Sequence, residues 1–576
     1  MGQFLIAPAA MAAHVEALDA RMGEHGFERG LNLSVDGYRI LVHRRLNGAP
    51  LHSVTFEDGA FALHTGTFFF DGMTGEPALR AFHAAFDPAA PPWARCRGHY
   101  AVILRKAGVL ALVTDGLGSY HVYHRRDEPV FSSSFVAVLD SVAEPAPDPV
   151  GIFQYAWNGS CFGDRTVFDN VRLLPAPAIV TLGGQARIVE HGPAIDLFAP
   201  PAADALPALA REQAERLRPL FRAYAGLAPL PVRTALSGGY DSRLVLAALL
   251  DAGVTPDLFV FGGAGDPDVA CARRVAEGEG LALRHLDKGA APVPDPDAFA
   301  AQVRRDLTVF DGLKYDGLFD PGADYDDRMA RQAGDAVVLN GSAGEIYRNF
   351  FYLPDRPTSL GDLVSAFFSR YDPSAMTRAF DEAAYRDALA ADMMGVLGID
   401  RPKVARPLIE ALYPLFRGRY WSSRDVSVNQ RFGRMLYPFL EPAVIETTNN
   451  IPYAAKAFGR LEAAMIARLS PALAGYPMAY GFAPAEPPPL AHRLSLLASI
   501  HRPVWLRRRA YRLSRHGAAP AWLGREHLCR VMDVNMPYMK ALFRLAALRD
   551  PEVLNRVATV EYLCQRAGAR HLPVYS

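Results

Sequence analysis

The chain has 576 residues, half of them apolar and 21% charged, and its 61 basic and 61 acidic side chains balance to a formal net charge of zero. That length suits roughly two to four domains with substantial cores, and the charge balance removes any global electrostatic case for nucleic-acid or membrane binding. The five cysteines, Cys96, Cys161, Cys271, Cys529 and Cys564, are scattered without a CxxC pair, which argues against a disulfide framework and against a zinc site.

The opening residues Met1-Gly2-Gln3-Phe4-Leu5-Ile6 lack the basic stretch of a signal peptide and the myristoylation pattern. No apolar run reaches the roughly 18 residues of a membrane span, so a cytoplasmic protein is expected. The glycosylation triplets at Asn158 and Asn340 are then bystanders. Residues 1–195 are rich in short strand-like runs with turn punctuation, at 38–46, 60–70, 100–104, 109–114 and 130–134. Pro145, Pro147 and Pro149 mark a kink, and residues 193–207 form a proline- and alanine-rich linker. From about 208 the texture changes to helices alternating with apolar strands at 229–236, 257–261 and 336–339, which predicts a doubly wound parallel sheet. Beyond about 360 the pattern is mostly helical, and no internal repeat is present.

The most informative segment is Leu236-Ser237-Gly238-Gly239-Tyr240-Asp241-Ser242-Arg243. An apolar run leads into it and a helical pattern through Leu244, Val245, Leu246, Leu249 and Leu250 follows. Strand, glycine loop and helix together aim backbone N–H groups and a helix N-terminus at a phosphate. The glycines admit close approach of an anion, Ser237 and Ser242 add hydroxyl donors, and Asp241 is suited to the Mg2+ that accompanies a polyphosphate. The spacing is not GxxxxGK[ST], so this is not a Walker A loop. A plain strand–turn–helix link is the competing reading.

Further along, Asp324, Asp326 and Asp327 superficially invite a metal, but their spacing favours a solvated loop. Tyr347, Arg348 and Asn349 follow a second glycine turn, and Arg348 is placed either to grip a carboxylate substrate or to form a structural ion pair. Lys456 is either a catalytic cation or an ordinary solvated helix lysine. Arg507, Arg508, Arg509, Arg512 and Arg515, with Trp505 and Tyr511 interleaved, read as an exposed helix face rather than a nucleic-acid or acidic-peptide site.

Together these segments resemble the asparagine synthetase family, over about residues 1–485. Residues 98–103 (GHYAVI), 113–118 (VTDGLG) and 131–134 (FSSS) are similar to that family's class II glutamine amidotransferase domain. The Ser237–Ser242 loop is similar to the SGGxDS pyrophosphate loop of ATP pyrophosphatases. After it come 258–262 (LFVFG), resembling the strand whose backbone meets adenine, and 266–276, which fits a helix beside the nucleotide. Residues 337–345 (VVLNGSAGE) stand where the family has its second glycine loop, and 437–441 (YPFLE) resemble its later "PFLD" segment. The resemblance implies an Ntn-like αββα sandwich over 1–195, an adenine nucleotide α-hydrolase-like parallel sheet over 208–485 and a helical accessory region over 486–576.

It also implies an ATP-dependent, AMP-forming carbon–nitrogen ligase with ATP and Mg2+. Leu236, Ser237, Gly238, Gly239, Asp241, Ser242, Phe261 and Gly341 would bind the nucleotide, and Asp241 and Glu345 the metal. Asp241, Glu345, Arg348 and Lys456 would serve catalysis. Three departures qualify the likeness. Gly2 stands where glutamine-using members carry a cysteine nucleophile, and 64–69 (HTGTFF) replace the glutamine-holding stretch, so no glutaminase activity is expected. Gly344-Glu345 replaces an Asp-Glu pair whose Asp binds metal, leaving Glu345 to substitute or the metal held less tightly. The family's late lysine is missing, with no lysine between Lys456 and Lys540. The substrate is then a small-molecule or peptide carboxylate; ring closure of lasso-peptide or β-lactam synthetase type, uronic acid amidation and a non-catalytic nucleotide-binding relative all stay open, as do a homodimer and a biosynthetic partner protein.

Overall fold

The computed structural model describes residues 2–183, 185–192, 195–197, 205–227, 229–513 and 517–572, without the side chains of 508–510 and 512–513. Most of the expected linker at 193–207 lies outside the described residues. Strand alternation organises the N-terminal half. Along Gln3–Pro8, Phe4 and Ile6 point to one side and Leu5 and Ala7 to the other, and all four are buried, so this strand is covered on both faces. It lies between Tyr38–His43 and Phe131–Ser132 in a six-stranded antiparallel sheet. A second antiparallel sheet of seven strands has Phe61–Phe70, Cys96–Lys106 and Val109–Thr114 at its centre.

Phe4, Ile6, Ile40 and Val42 from the first sheet share a core with Phe61, Leu63, Ile103 and Leu112 from the second. Helix Ala12–Glu24 covers the outer face of the first sheet through Val15, Leu18 and Met22. Helix Gly75–Ala85 covers the second through Ala78, Leu79 and Phe82. The layers therefore run helix, sheet, sheet, helix. All five strand-like runs expected in this half carry strands.

The second half is built on a five-stranded parallel sheet in the order Leu283–Leu286, Asp257–Phe261, Val232–Ala235, Val337–Leu339, Arg434–Leu436. Two of these strands were not expected from the sequence. Beyond 360 the chain is mostly helical, as expected, with Lys403–Val404, which pairs with Thr358–Ser359, and Arg434–Leu436 as its short strands among the described residues. A three-residue strand that begins with arginine carries no readable period; its pairing with Val337–Leu339 and the Arg434–Asp335 ion pair define it.

The two halves meet through buried polar groups. Asp311 accepts from Ser134 Oγ (2.6 Å) and Phe135 N (2.8 Å) and pairs with Arg424 and Arg431, each at 3.0 Å. The C-terminal helix Pro551–Arg566 lies against Pro149–Asn158, with Arg556 donating to the carbonyls of Ala156 (3.1 Å) and Tyr315 (2.7 Å). No helix among the described residues is long and apolar enough to cross a membrane.

Glu441, in the 437–441 segment, is a third tie. Its Oε1 accepts from Gly98 N at 2.8 Å and Tyr224 Oη at 2.7 Å, while Oε2 is buried without a partner. Burial pushes this carboxyl from 4.5 up to about 7. A carboxyl raised in the folded chain contributes stability below its unfolded pKa, and that contribution is lost as pH climbs through the folded value. Glu441→Gln fixes the neutral form. It should gain on the parent between pH 4.5 and 7, reaching on the order of 3 kcal/mol above that window. Thermal unfolding of both proteins across pH measures this, and a difference that stays flat with pH contradicts it.

Candidate functional site

Strand order in the parallel sheet reverses between Val232–Ala235 and Val337–Leu339, and open parallel sheets take ligands in the crevice at such a reversal. Both glycine turns leave the carboxyl ends of these two strands. The first passes through Ser237, Gly238 and Gly239 into helix Tyr240–Asp251, whose residues 242–249 are all buried. The second follows Asn340 and Gly341 into the short turn Gly344–Tyr347.

The first turn is tightly bonded. Ser237 N donates to Ser242 Oγ at 2.9 Å, the two serine hydroxyls lie 3.0 Å apart, and Gly239 N donates to Ser237 Oγ at 3.3 Å. Gly238 N donates to Asp268 Oδ1 at 3.0 Å, so a carboxylate already occupies one anion-facing N–H. Leu236 is buried behind the turn, its N–H on Phe259 O at 2.9 Å. Phe261 ends the neighbouring strand, with Lys288 Nζ 4.6 Å from its ring centroid.

Asp241 leans across the reversal toward the second turn. A β-carbon on Gly344 would stand 2.3 Å from Asp241 Oδ1 and 2.8 Å from its Cβ, and one on Gly341 would stand 2.9 Å from the Asp241 carbonyl carbon. The departure at 344 therefore has a steric cause: this placement of Asp241 leaves no volume for an aspartate there. Arg348 supplies the compensating charge. Its Nη2 lies 2.5 Å from Asp241 Oδ2 and 3.9 Å from Glu345 Oε1, and its Nε pairs with Glu462 Oε2 at 2.8 Å. Tyr413 Oη donates to Glu345 Oε2 at 2.6 Å.

Glu462 is fully buried and was not anticipated. A signal was nonetheless present, because 462 falls with Met465, Ile466 and Leu469 on the apolar face of helix Arg460–Leu469. Burial raises the carboxyls of both Glu345 and Glu462; Asp241's charge adds to this in each, and Arg348 opposes it. Burial would depress the Arg348 guanidinium, but Asp241, Glu462 and Glu345 outweigh it and hold the group well above its ordinary range.

Lys456 is buried rather than solvated, which corrects the helix-lysine expectation. Its Nζ lies 2.8 Å from Glu410 Oε2, and Arg406 bridges Glu410 to Asn349 Oδ1 (2.7 Å). Burial lowers the Lys456 pKa, with Glu410 opposing. Lys456, Asn349, Arg348, Tyr240, Tyr480 and His492 line a cavity of about 90 Å3. Lysine and arginine thus share a wall, although the ammonium bonds to Glu410 and not to the Asp241 cluster.

Two further expectations change. Asp324 and Asp327 are not in a solvated loop: they begin helix Ala323–Gln332 and pair with Lys288, Lys314, Arg328 and Arg331 at 2.7–3.4 Å. In the arginine stretch, Arg507 docks on carbonyls of Phe351 (3.1 Å) and Ser499 (2.9 Å) instead of facing solvent. The side chains of Arg508, Arg509 and Arg512, and all of Arg515, lie outside the described residues.

Among the described residues no three His, Cys, Asp or Glu side chains converge as a metal cage. Asp241 Oδ1 and Glu462 Oε1 are, however, buried without hydrogen-bond partners. Such orphaned oxygens fit a divalent cation arriving with a phosphate, since Mg2+ is commonly held by one or two carboxylates plus substrate oxygens.

No protein-family model matches the chain, and no curated protein matches it. Among solved structures, it is similar to an allosteric regulatory enzyme of purine biosynthesis (9% identity over 51% of this chain and 82% of that one, TM-score 0.24). It is also similar to the U34-tRNA thiolase NcsA from Methanococcus maripaludis with its 4Fe-4S cluster (12%, 55% and 83%, TM-score 0.21). A third is glutamine phosphoribosylpyrophosphate amidotransferase from B. subtilis complexed with ADP and GMP (9%, 59% and 82%, TM-score 0.23). Scores this low define no common fold.

The Asp241–Gly344 contact makes a direct prediction. Gly344→Ala should cost about 1–3 kcal/mol of stability by overpacking and displace Asp241 from Arg348, measured by urea unfolding. A cost within about 0.5 kcal/mol, the range of a neutral surface change, would show that the contact is slack.

Proposed function

We propose that the chain is an ATP-dependent ligase that adenylates a carboxylate and passes the acyl group to an amine. The supporting observation is the meeting of the two glycine turns at the sheet's reversal, with Asp241 pressed onto the second. In this reading residues 208–485 act as an adenine nucleotide α-hydrolase-like domain, and residues 1–195 as a degenerate class II amidotransferase domain.

In the first step a carboxylate oxygen attacks the ATP α-phosphorus, the bond to the β-phosphate oxygen breaks, and pyrophosphate departs. In the second an amine nitrogen attacks the activated carbonyl and AMP leaves with the former carboxylate oxygen. The released amine proton passes to base or solvent. Pyrophosphate would take the Gly238 N–H from Asp268 and the hydroxyls of Ser237 and Ser242, with Gly239, Leu236 and Gly341 shaping the turns and Phe261 bordering the adenine. Asp241 and Glu345 would hold Mg2+, which neutralises phosphate charge. Arg348 is positioned to exchange an internal carboxylate for that of the substrate. Lys456, held by Glu410, supplies a fixed cation on the same wall for charge developing on the acyl oxygen.

The amine must come from elsewhere. Gly2 is packed so that a β-carbon there would stand 2.9 Å from Arg44 O, and it offers neither thiol nor hydroxyl. One observation favours a second reading, a nucleotide-binding relative without turnover: Arg348 already neutralises Asp241.

Assaying AMP and pyrophosphate from Mg-ATP across a panel of carboxylates with ammonia separates the two. The ligase reading expects equal, carboxylate-dependent amounts of both products. Asp241→Asn should lower turnover on the order of 100-fold or more, and no glutamate should be released from glutamine. ATP binding with no product from any acid favours the second reading, and failure to bind ATP removes both.

A further inference from the structure

Beside the reversal lies a much larger cleft, about 810 Å3, well within the size range of organic-ligand sites. Its wall joins it to the small cavity, because Tyr352 borders both. A ten-residue π-helical segment, Tyr413–Ser422, contributes to the wall of the large cleft, and π-turns are often retained at functional sites. Its first residue, Tyr413, holds Glu345. Four and eight residues later Arg417 and Trp421 face the cleft. Phe350 packs against the first two of these residues, its ring centroid 4.2 Å from that of Tyr413 and 5.3 Å from the Arg417 guanidinium carbon.

The charge in the cleft is one-sided. Five arginines line it against two acids, Asp550 and Glu552. Glu552 is paired with Arg556 at 2.8 Å, and Asp550 accepts from its own helix and from Tyr511. Arg507 spends its donors on backbone carbonyls. The guanidinium groups of Arg417, Arg370 and Arg502 have no hydrogen-bond or ion-pair partner among the described residues. Arg417 is also partly buried: its guanidinium carbon lies 4.0 Å from the Trp421 ring centroid and 5.5 Å from that of Phe367. Burial pulls it below its ordinary pKa, with Tyr413 and Glu345 opposing and Arg370 adding to the depression. A guanidinium packed over an indole ring still has N–H donors to offer a bidentate anion, and a partly buried cation without an ion-pair partner gains when such an anion arrives.

We propose that this cleft binds an organic anion, with its carboxylate or phosphate on Arg417 and Arg370 and a flat apolar body against Trp421 and Tyr315. Resting on the ligase reading, that ligand is the second substrate, delivered toward Glu345 and Arg348 past Tyr352. The binding claim itself does not need turnover.

The test uses the full chain and isothermal titration with three matched probes, 1-naphthoate, 1-naphthyl phosphate and neutral 1-naphthamide. At least one anion should bind about tenfold or more tightly than the amide, the scale of one charge-assisted interaction; which anion wins distinguishes carboxylate from phosphate recognition. Arg417→Gln should abolish that preference while leaving amide binding in place. Arg370→Gln, at an exposed position, should reduce the preference without disturbing folding, which covers the case where Arg417→Gln does not fold. Equal binding of all three probes, a preference that survives both substitutions, or no anion binding at millimolar concentration overturns the proposal. The ligase reading fails separately: arginine-dependent anion binding with no AMP from any carboxylate keeps the cleft and removes the ligase, and AMP formation without anion preference does the reverse.

Discussion

A β-carbon on residue 344 would stand 2.3 Å from Asp241 Oδ1, and the arrangement of the site follows from that contact. Asp241 sits in the first turn of a helix that rises directly from the central strand, so its position is set by the sheet. Its carboxylate can cross the reversal only if the second loop has no side chain at 344 and almost none at 341. Glycine at both positions closes the loops onto each other and leaves Glu345 and Arg348 as the next groups able to reach the crevice. Arg348 then carries two obligations, to the partly exposed Asp241 and to Glu462, and its charge offsets the cost of burying Glu462.

That balance is incomplete. One guanidinium faces Asp241, Glu345 and Glu462, and buried carboxylates left partly unpaired are expensive. The excess is relieved in two ways: Tyr413 bonds Glu345, and the two glutamates titrate upward. A site held in this condition gains when a cation or a cation-bearing phosphate enters. Behind it, Lys456, Glu410 and Arg406 form a separate, internally satisfied group. Such pairs add little net stability after desolvation, but they fix Asn349 and hence the turn that aims Arg348.

Much of the sheet and its first loop could be read from residues 1–345, because apolar runs ending in glycine punctuation are local signals. Asp257–Phe261 and Val109–Thr114 have the bounds expected of them. Signals that depend on distant partners were not readable. Arg434–Leu436 is a strand only because Val337–Leu339 lies beside it. Lys456 is buried because Glu410, 46 positions earlier, meets it. The spacing of the Asp324 cluster favours a solvated loop, whereas in the fold Lys288 and Lys314 face it. Glu462 is legible locally, since helical periodicity alone puts it on an apolar face.

Pyrophosphate exchange probes the proposed activation of a carboxylate by ATP where the two glycine turns meet. Labelled pyrophosphate is supplied with Mg-ATP and a carboxylate, with no amine present. Adenylation at this site predicts label entering ATP only when an accepted carboxylate is added. Cleavage of ATP to ADP and orthophosphate, with no label returned from pyrophosphate, would contradict the account.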